Sequence, residues 1–146
     1  MTKLKQYLRS LCKSLVLCAI GGGAYYLVEL IWRGSSHFSM ILVGGMCFLC
    51  IGQLNHSYLE WEMPLTSQMF LSGGIITVIE FAAGLLLNVK LGLGIWDYSD
   101  IPYNFMGQIC LSYFALWQFL SIVGILLDDY IRYWFFGEDK PRYTLI

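Results

Sequence analysis

Long apolar segments divide the chain, and its charged residues fall almost entirely between them. Four of these segments are long enough to cross a bilayer, since a spanning helix needs about 20 largely apolar residues. Glu29 and Glu80 are the only Asp, Glu, Lys or Arg residues inside them. The pattern therefore predicts an all-α, polytopic membrane protein with four transmembrane helices. These helices are expected at residues 14–32, 38–58, 65–89 and 104–127.

The composition agrees with this pattern. The chain has 146 residues, of which 58% are hydrophobic and 13% charged. About 25% of the residues of a soluble domain are charged, so charged residues are too few here to cover a water-facing surface. The net charge of −1 supplies no positive field for nucleic acid. The five Cys residues are odd in number and predict no framework of structural disulfides.

The basic residues predict the orientation. Seven of the nine Lys and Arg residues lie in the terminal segments, and only Arg33 and Lys90 lie in the connections after the first and third helices. Because basic residues concentrate on the cytoplasmic side, we expect both termini in the cytoplasm. The chain then divides into a cytoplasmic, basic amphipathic lead, a four-helix transmembrane domain and a cytoplasmic tail. The boundaries are expected at residues 1–13, 14–130 and 131–146.

A polar stripe follows the third helix. Its members recur every three or four residues and therefore share one helix face: Gly73, Thr77, Glu80, Gly84 and Asn88. Close helix packing explains the small residues. It does not explain Glu80, because an ionised carboxylate near mid-membrane costs a few kcal/mol or more. The stripe is therefore expected to face protein or an internal cavity.

Glu29 and Arg33 stand one turn apart on the first helix, where they can form an ion pair. At about 1.5 Å of rise per residue, the long Arg33 side chain can also reach the depth of Glu80. We expect Arg33 to neutralise both carboxylates. The set is either the charged centre of a functional pocket, the default for intramembrane ions, or a purely structural ion pair.

Two further features have equally plain structural interpretations. His37 is either a proton carrier or ligand, or a cap of the connection between the first two helices. Cys47 and Cys50 lie inside an apolar helix without the other ligands that a metal needs, so core packing is the favoured interpretation.

The segment Gly92–Asn104 combines aromatic and short polar side chains. Trp96 and Tyr98 suit a membrane interface, and Asp97 adds a hydrogen-bond acceptor that Arg33 or His37 could reach. The segment is either an ordinary loop or a lid that packs over the bundle; we expect packing. The candidate ligand-binding residues are Glu29, Arg33, His37, Glu80, Asn88, Trp96, Asp97, Tyr98, Asn104 and Gln108.

Several ordered motifs resemble one family of small bacterial membrane proteins, the type IV ABC-transporter permeases. In the first half they are Glu29-Leu-Ile-Trp-Arg33-Gly34, Ser36-His37-Phe-Ser39-Met40 and Gly44-Gly45. In the second half they are Thr77-Val-Ile-Glu80, Gly84, Asn88, Trp96-Asp97-Tyr98-Ser99, Asn104 and Gly107-Gln108. The resemblance covers about 22–127 and implies a bacterial plasma-membrane protein, with a cytoplasmic ATPase subunit as partner.

Three functions fit these residues. The first is a transporter subunit with a polar pocket in the outer half of the bundle, bound to membrane lipid and assembled with itself or a partner. The second is a membrane-embedded enzyme, or a protein that binds lipid or isoprenoid in the same pocket. The third is a structural or assembly protein. No ATP-binding glycine loop, metalloprotease motif or nucleophile elbow is present, so we favour a non-enzyme without cofactor or metal.

Overall fold

Four long helices make up most of the computed structural model, which describes residues 2–146 apart from the side chain of Tyr58. They are α1 (Lys3–Arg33), α2 (Ser39–Gln53), α3 (Leu65–Gly84) and α4 (Leu111–Phe136). One π-helical segment follows α2 at Leu54–Tyr58, and another follows α3 at Leu85–Lys90. With these extensions, four helices in the described chain are long and apolar enough to cross a membrane. The predicted fold class is confirmed.

Large apolar side chains cover the outer surface of the bundle. Ile31 on α1, Val78 on α3 and Phe119 on α4 are all exposed. Hydrocarbon can solvate such side chains and water cannot, so the exposed surface is suited to lipid. The buried apolar residues form two clusters, one around Leu17 and Phe48 and the other around Ile125.

Helices α1 and α2 form a closely packed antiparallel hairpin. Gly22 contacts the backbone of Ile41 so closely that an added Cβ would lie 2.0 Å from the Ile41 carbonyl oxygen. Farther along, Gly45 packs in the same manner on Cys18. Small residues at these crossings let the two backbones approach, as in other transmembrane helix pairs.

The basic lead is continuous with the first membrane helix. Helix α1 begins at Lys3 and runs without interruption through residue 13 to Arg33. Its end is set by Gly34, whose φ of +76° places it in the left-handed region and whose N–H donates to the Leu30 carbonyl at 2.9 Å. Glycine adopts this conformation without steric cost.

Helix α4 lies farther along the chain than the apolar pattern predicts. Residues 104–110 form a small antiparallel hairpin instead, in which β1 (Asn104–Phe105) pairs with β2 (Ile109–Cys110). Positive φ values at Met106 and Gly107 make its turn. At the other end, α4 continues beyond 127 because the charged residues that follow are buried against polar partners and do not terminate the helix.

The bundle has two distinct ends. The end where the chain begins and finishes is called the termini end below; there the Leu65 N–H donates to the Thr144 carbonyl at 2.7 Å, so the C-terminal segment packs against the start of α3. The other end is called the loop end, and it carries the segment between α3 and β1, named loop 91–103.

Candidate functional site

Glu80 lies buried in α3, four residues before this helix ends at Gly84, and both of its carboxylate oxygens accept a hydrogen bond. The Tyr98 hydroxyl donates to Oε1 at 2.8 Å, and the Trp117 indole Nε1 donates to Oε2 at 2.9 Å. Tyr98 reaches Glu80 from loop 91–103, whereas Trp117 reaches it from α4. Two neutral donors from different elements therefore satisfy the buried carboxylate.

Arg33 contacts Glu29 but not Glu80. Its Nη1 donates to Glu29 Oε1 at 2.8 Å, and its Nη2 donates to the Ile95 carbonyl at 3.0 Å. The expected bridge from Arg33 to Glu80 is therefore wrong for these two described residues. The physical reason is that loop 91–103 lies between them: it supplies Tyr98 to Glu80 and a backbone carbonyl to Arg33.

Loop 91–103 packs against the bundle, as expected. Trp96 is 4% exposed, and its indole Nε1 donates to the Gln108 carbonyl at 3.0 Å. Asn88 joins the loop to the hairpin, because its Nδ2 donates to Gln108 Oε1 at 2.8 Å and its Oδ1 accepts from the Ile95 N–H at 2.7 Å. Asn88, Trp96 and Gln108 thus hold the loop in place.

Tyr98 is fixed by the same packing. Its backbone N–H donates to the Gly107 carbonyl at 2.7 Å, and its ring stacks on Tyr113 with centroids 4.6 Å apart. Burial, reinforced by the Glu80 carboxylate, raises the pKa of Tyr98 above its ordinary value. The phenol therefore remains a neutral hydrogen-bond donor at physiological pH.

Asp97 and Asn104 make hydrogen bonds within the loop and hairpin. Asp97 Oδ1 accepts from the Ser99 N–H at 2.9 Å, in place of the expected donors Arg33 and His37. The Ser99 hydroxyl and N–H lower the pKa of the exposed Asp97 carboxyl. Asn104 Nδ2 donates to the Ile101 carbonyl at 2.9 Å, and its Oδ1 accepts from the turn. Both side chains therefore stabilise the backbone conformation of the loop and of the hairpin turn.

His37 lies at the start of α2, away from Glu29 and Glu80. Its Nδ1 accepts from the Ser39 N–H at 3.2 Å and lies 2.7 Å from Ser39 Oγ. The first N–H groups of a helix lack intrahelical partners, and His37 satisfies one of them. This arrangement matches the capping interpretation.

A cavity of about 410 Å³ lies at the loop end between α1, α4 and loop 91–103; it is called the loop-end cavity below. Six of its fourteen lining residues are aromatic, and its charged residues are the Arg33–Glu29 ion pair and Asp97. Five of the ten candidate residues line it, namely Glu29, Arg33, Trp96, Asp97 and Tyr98. Glu80 instead lines a second, apolar cavity of about 140 Å³ deeper in the bundle.

Comparison with known families identifies the chain. Residues 15–137 match the family described as "Putative ABC-transporter type IV". The chain belongs to this family. With its four apolar helices, this member of the type IV ABC-transporter family is a multi-pass membrane protein. No solved structure matches the chain.

Two residues beside Glu80 were not predicted from the sequence of this type IV ABC-transporter family member. Trp117 donates to Glu80, and Tyr25 lies beside it with ring centroids 6.0 Å apart. Both line the loop-end cavity and the deeper cavity. An aromatic residue within an apolar helix carries no signal that distinguishes it from lipid-facing neighbours, so only the tertiary packing reveals their position.

A second polar group lies at the termini end and is called the termini-end cluster. Its members come from α3, α4, the π-helical turn after α2 and the C-terminal segment: Asn55, His56, Gln68, Asp128, Asp129, Arg132, Glu138 and Tyr143. The Arg132 Nε donates to Asp128 Oδ2 at 2.7 Å, and both side chains are almost fully buried. The i, i+4 spacing of Asp128 and Arg132 was the available sequence signal.

The C-terminal segment completes this cluster. Burial opposes ionisation of Glu138, but its ion pair with Lys13 and the charges of Arg132 and His56 outweigh burial and lower the Glu138 pKa. Tyr143 donates to Asp129 Oδ2 at 2.7 Å. Burial, together with that carboxylate, raises the Tyr143 pKa. Lys13 of α1 and the C-terminal segment are therefore both held at this end of the bundle.

Proposed function

We propose that this chain is the membrane subunit of a transporter and that the loop-end cavity holds its substrate. The observation that carries the proposal is the position of the Arg33–Glu29 pair in a cavity lined in part by aromatic side chains. Arg33 is 39% exposed while Glu29 is 4% exposed. The buried carboxylate thus orients a guanidinium that remains accessible to a ligand.

The free donors of Arg33 suit an amphiphile with an anionic head group, which would bind on the side of the guanidinium away from Glu29. A guanidinium has five N–H donors in a planar fork, and two of those on Arg33 are used by Glu29 and Ile95. The remaining donors suit a carboxylate or phosphate group. Trp32 and Tyr113 are among the aromatic side chains that can contact an apolar body.

Tyr98 connects this cavity to the interior of the bundle. It lines the loop-end cavity and at the same time donates to Glu80. A substrate that moves from the loop end into the bundle has to displace Tyr98 and thereby uncover the Glu80 carboxylate. We propose that this contact is the inner boundary of the binding site, while His37, Asn88, Asn104 and Gln108 support the structure around it.

The proposal includes an ATPase subunit as the partner and an orientation of the chain in the membrane. The sequence contains no ATP-binding glycine loop, so a separate cytoplasmic ATPase subunit supplies the energy, and an oligomer encloses a complete pathway. The excess of basic residues at the termini end supports a cytoplasmic position for that end, and the loop-end cavity would then face the outer side of a bacterial plasma membrane.

The test is to isolate the tagged chain with its partners in lipid nanodiscs and to measure ATP hydrolysis with and without a lipid extract of the source membrane. We expect an associated ATPase that the extract stimulates. Arg33→Ala should keep the ATPase associated and lose the stimulation. Lys90→Ala is the matched control, because Lys90 is the other basic residue at this end and does not line the cavity.

The outcomes separate the alternatives. Absence of any associated ATPase would overturn the transporter proposal. A lipid or isoprenoid that copurifies in the absence of an ATPase would support the second candidate, for which the apolar cavity beside Glu80 is the specific observation. Equal stimulation of the Arg33→Ala and parent proteins would show that the substrate does not contact the guanidinium.

A further inference from the structure

We propose that the termini-end cluster binds a divalent metal ion through His56, Asp128 and Asp129. Each of these residues offers one ligand atom, and the three atoms lie within 4.8 Å of one another. One imidazole nitrogen with two carboxylate oxygens is a ligand set that suits Zn²⁺ or Mn²⁺. This site lies at the opposite end of the bundle from the loop-end cavity, so it stands or falls independently of the transport proposal.

The first observation that supports a metal site is a buried carboxylate oxygen of Asp128 that has no hydrogen-bond partner. Asp128 is 0% exposed, and its Oδ2 accepts from Arg132 Nε at 2.7 Å, whereas its Oδ1 has no hydrogen-bond partner. A buried carboxylate oxygen without a donor is costly, because nothing replaces the water it has lost. A metal ion at this position would supply the missing positive partner while Arg132 keeps its own bond.

The second support is the position of His56 between two acids. Its Nε2 lies 2.9 Å from Asp129 Oδ1, and its Nδ1 lies 3.1 Å from Glu138 Oε2. A metal ion bound to Nε2 would lie between the ring and Asp129 Oδ1. Glu138 then holds the Nδ1–H and orients the ring, as outer carboxylates commonly do for histidine ligands.

The geometry requires only a small adjustment at this pair. Nitrogen and oxygen ligands about 2.0–2.2 Å from a tetrahedral ion lie about 3.3 Å apart, a few tenths of an ångström beyond the separation of His56 Nε2 and Asp129 Oδ1. Asn55 Nδ2 and the Tyr143 hydroxyl donate to Asp129 Oδ2 at 3.0 and 2.7 Å. They leave Asp129 Oδ1 directed at the imidazole.

The charges around the three ligands and a nearby polar cavity also support the proposed metal site. Asp128, Asp129 and Glu138 supply three negative charges, against the two permanent positive charges of Lys13 and Arg132. These charges leave one surplus negative charge beside the three ligands, which a cation can offset. A polar cavity of about 480 Å³ at the termini end is lined by His56, Arg132 and Glu138, among others. It gives a hydrated ion access to His56, behind which the buried Asp128 and Asp129 lie.

The experiment uses the full chain purified in detergent, stripped with EDTA and titrated calorimetrically with Mn²⁺ and, separately, Zn²⁺ at pH 7.5. Mn²⁺ is included because it prefers oxygen and nitrogen ligands to the five free thiols. We expect one saturable ion per chain.

Variants locate the site. His56→Ala and Asp128→Asn should each weaken binding by more than about 100-fold, since loss of a ligand exceeds the typical effect of an outer-shell change. His37→Ala is the matched control and should bind as the parent does, because His37 is the second of the two histidines and lies at the start of α2. Absence of saturable Mn²⁺ and Zn²⁺ binding, or loss of binding in His37→Ala instead of His56→Ala, would overturn the proposal.

A measurement on the unmodified protein remains decisive if the variants fail to fold. Diethyl pyrocarbonate modifies accessible imidazoles, and mass spectrometry reports each histidine separately. Saturating Mn²⁺ should slow modification of His56 at least about tenfold and leave the rate at His37 unchanged. Equal rates at His56 with and without Mn²⁺ would contradict a metal on its imidazole.

Discussion

The Tyr98 hydroxyl donates a 2.8 Å hydrogen bond to Glu80 Oε1, and this bond joins loop 91–103 to α3. The Trp117 indole occupies the other oxygen at 2.9 Å. The buried carboxylate is thus held by two neutral donors, whereas Arg33 is bonded to Glu29 and to the Ile95 carbonyl. The stability of the loop and the placement of a buried acid therefore depend on one another.

Two replacements of Glu80 should separate the contribution of its hydrogen bonds to stability from the contribution of its charge. In Glu80→Gln the amide oxygen can accept from Trp117, and the amide nitrogen can donate to Tyr98, whose hydroxyl also accepts. We expect a loss below about 1 kcal/mol in the free energy of unfolding. Glu80→Leu leaves both donors buried without a partner and should cost about 2–6 kcal/mol, at 1–3 kcal/mol for each group. Denaturant unfolding in detergent measures both variants.

A phenylalanine at position 98 gives the complementary test. Tyr98→Phe should lower stability by about 1–3 kcal/mol, and it should increase amide hydrogen exchange within loop 91–103. Tyr103→Phe is the control, because Tyr103 is in the same loop but exposed. Equal exchange in the two variants would show that the bond to Glu80 does not hold the loop.

Removal of Arg33 should leave a buried acid without its cation. Arg33→Ala is expected to cost about 1–3 kcal/mol, less than the 3–5 kcal/mol typical of fully buried pairs, because Arg33 is 39% exposed. Adding Glu29→Gln should restore most of the loss, without any change at Glu80. Thermal unfolding of the single and double variants checks this; a double variant less stable than Arg33→Ala would contradict the pairing.

Two adjacent glycines should respond in opposite ways to alanine. Gly22→Ala places a Cβ against the Ile41 carbonyl and should cost about 1–3 kcal/mol as an overpacked contact. Gly23 has no atom within 4 Å of the corresponding position. Gly23→Ala should therefore be neutral or stabilising by up to about 1 kcal/mol, through helix propensity. Equal melting temperatures for the two variants would refute the proposed α1–α2 contact.

Acid should weaken the termini end through Glu138. Its pKa is lowered in the folded chain, so its ion pairs add stability above the unfolded value of about 4.3. That contribution is lost as the pH falls through the lower, folded value. Glu138→Gln should melt below the parent at pH 7, and the difference should shrink at about pH 3. The exposed Glu62→Gln should show no such convergence.

The basic residues in the terminal segments predict the orientation in the membrane. A reporter fused at Ile146 should be active in the cytoplasm, and one inserted within 92–100 should be active outside it. The reason is the seven-to-two distribution of Lys and Arg between the terminal segments and the outer connections. A periplasmic signal from Ile146 would reverse the topology.

The fold class, the four spans and the buried positions of Glu29 and Glu80 could be predicted from the sequence. Apolar runs of membrane length leave few alternatives to helices, because hydrocarbon cannot satisfy open backbone groups. The stripe on α3 correctly indicated an inward Glu80, and the i, i+4 spacing correctly indicated the Arg33–Glu29 pair. These features are local, so periodicity is enough to find them.

The side-chain contacts between different helices and loops could be found only from the tertiary structure. Glu80 pairs with Tyr98 and Trp117 because loop 91–103 folds inward, and depth along a helix cannot reveal such a loop. Likewise, Asp128 and Asp129 end the apolar run of α4 in the sequence. They lie buried because the π-helical turn after α2 and the C-terminal segment bring polar partners to them. Whether a charge terminates a membrane helix or is buried within it depends on these distant partners, which apolar periodicity does not encode.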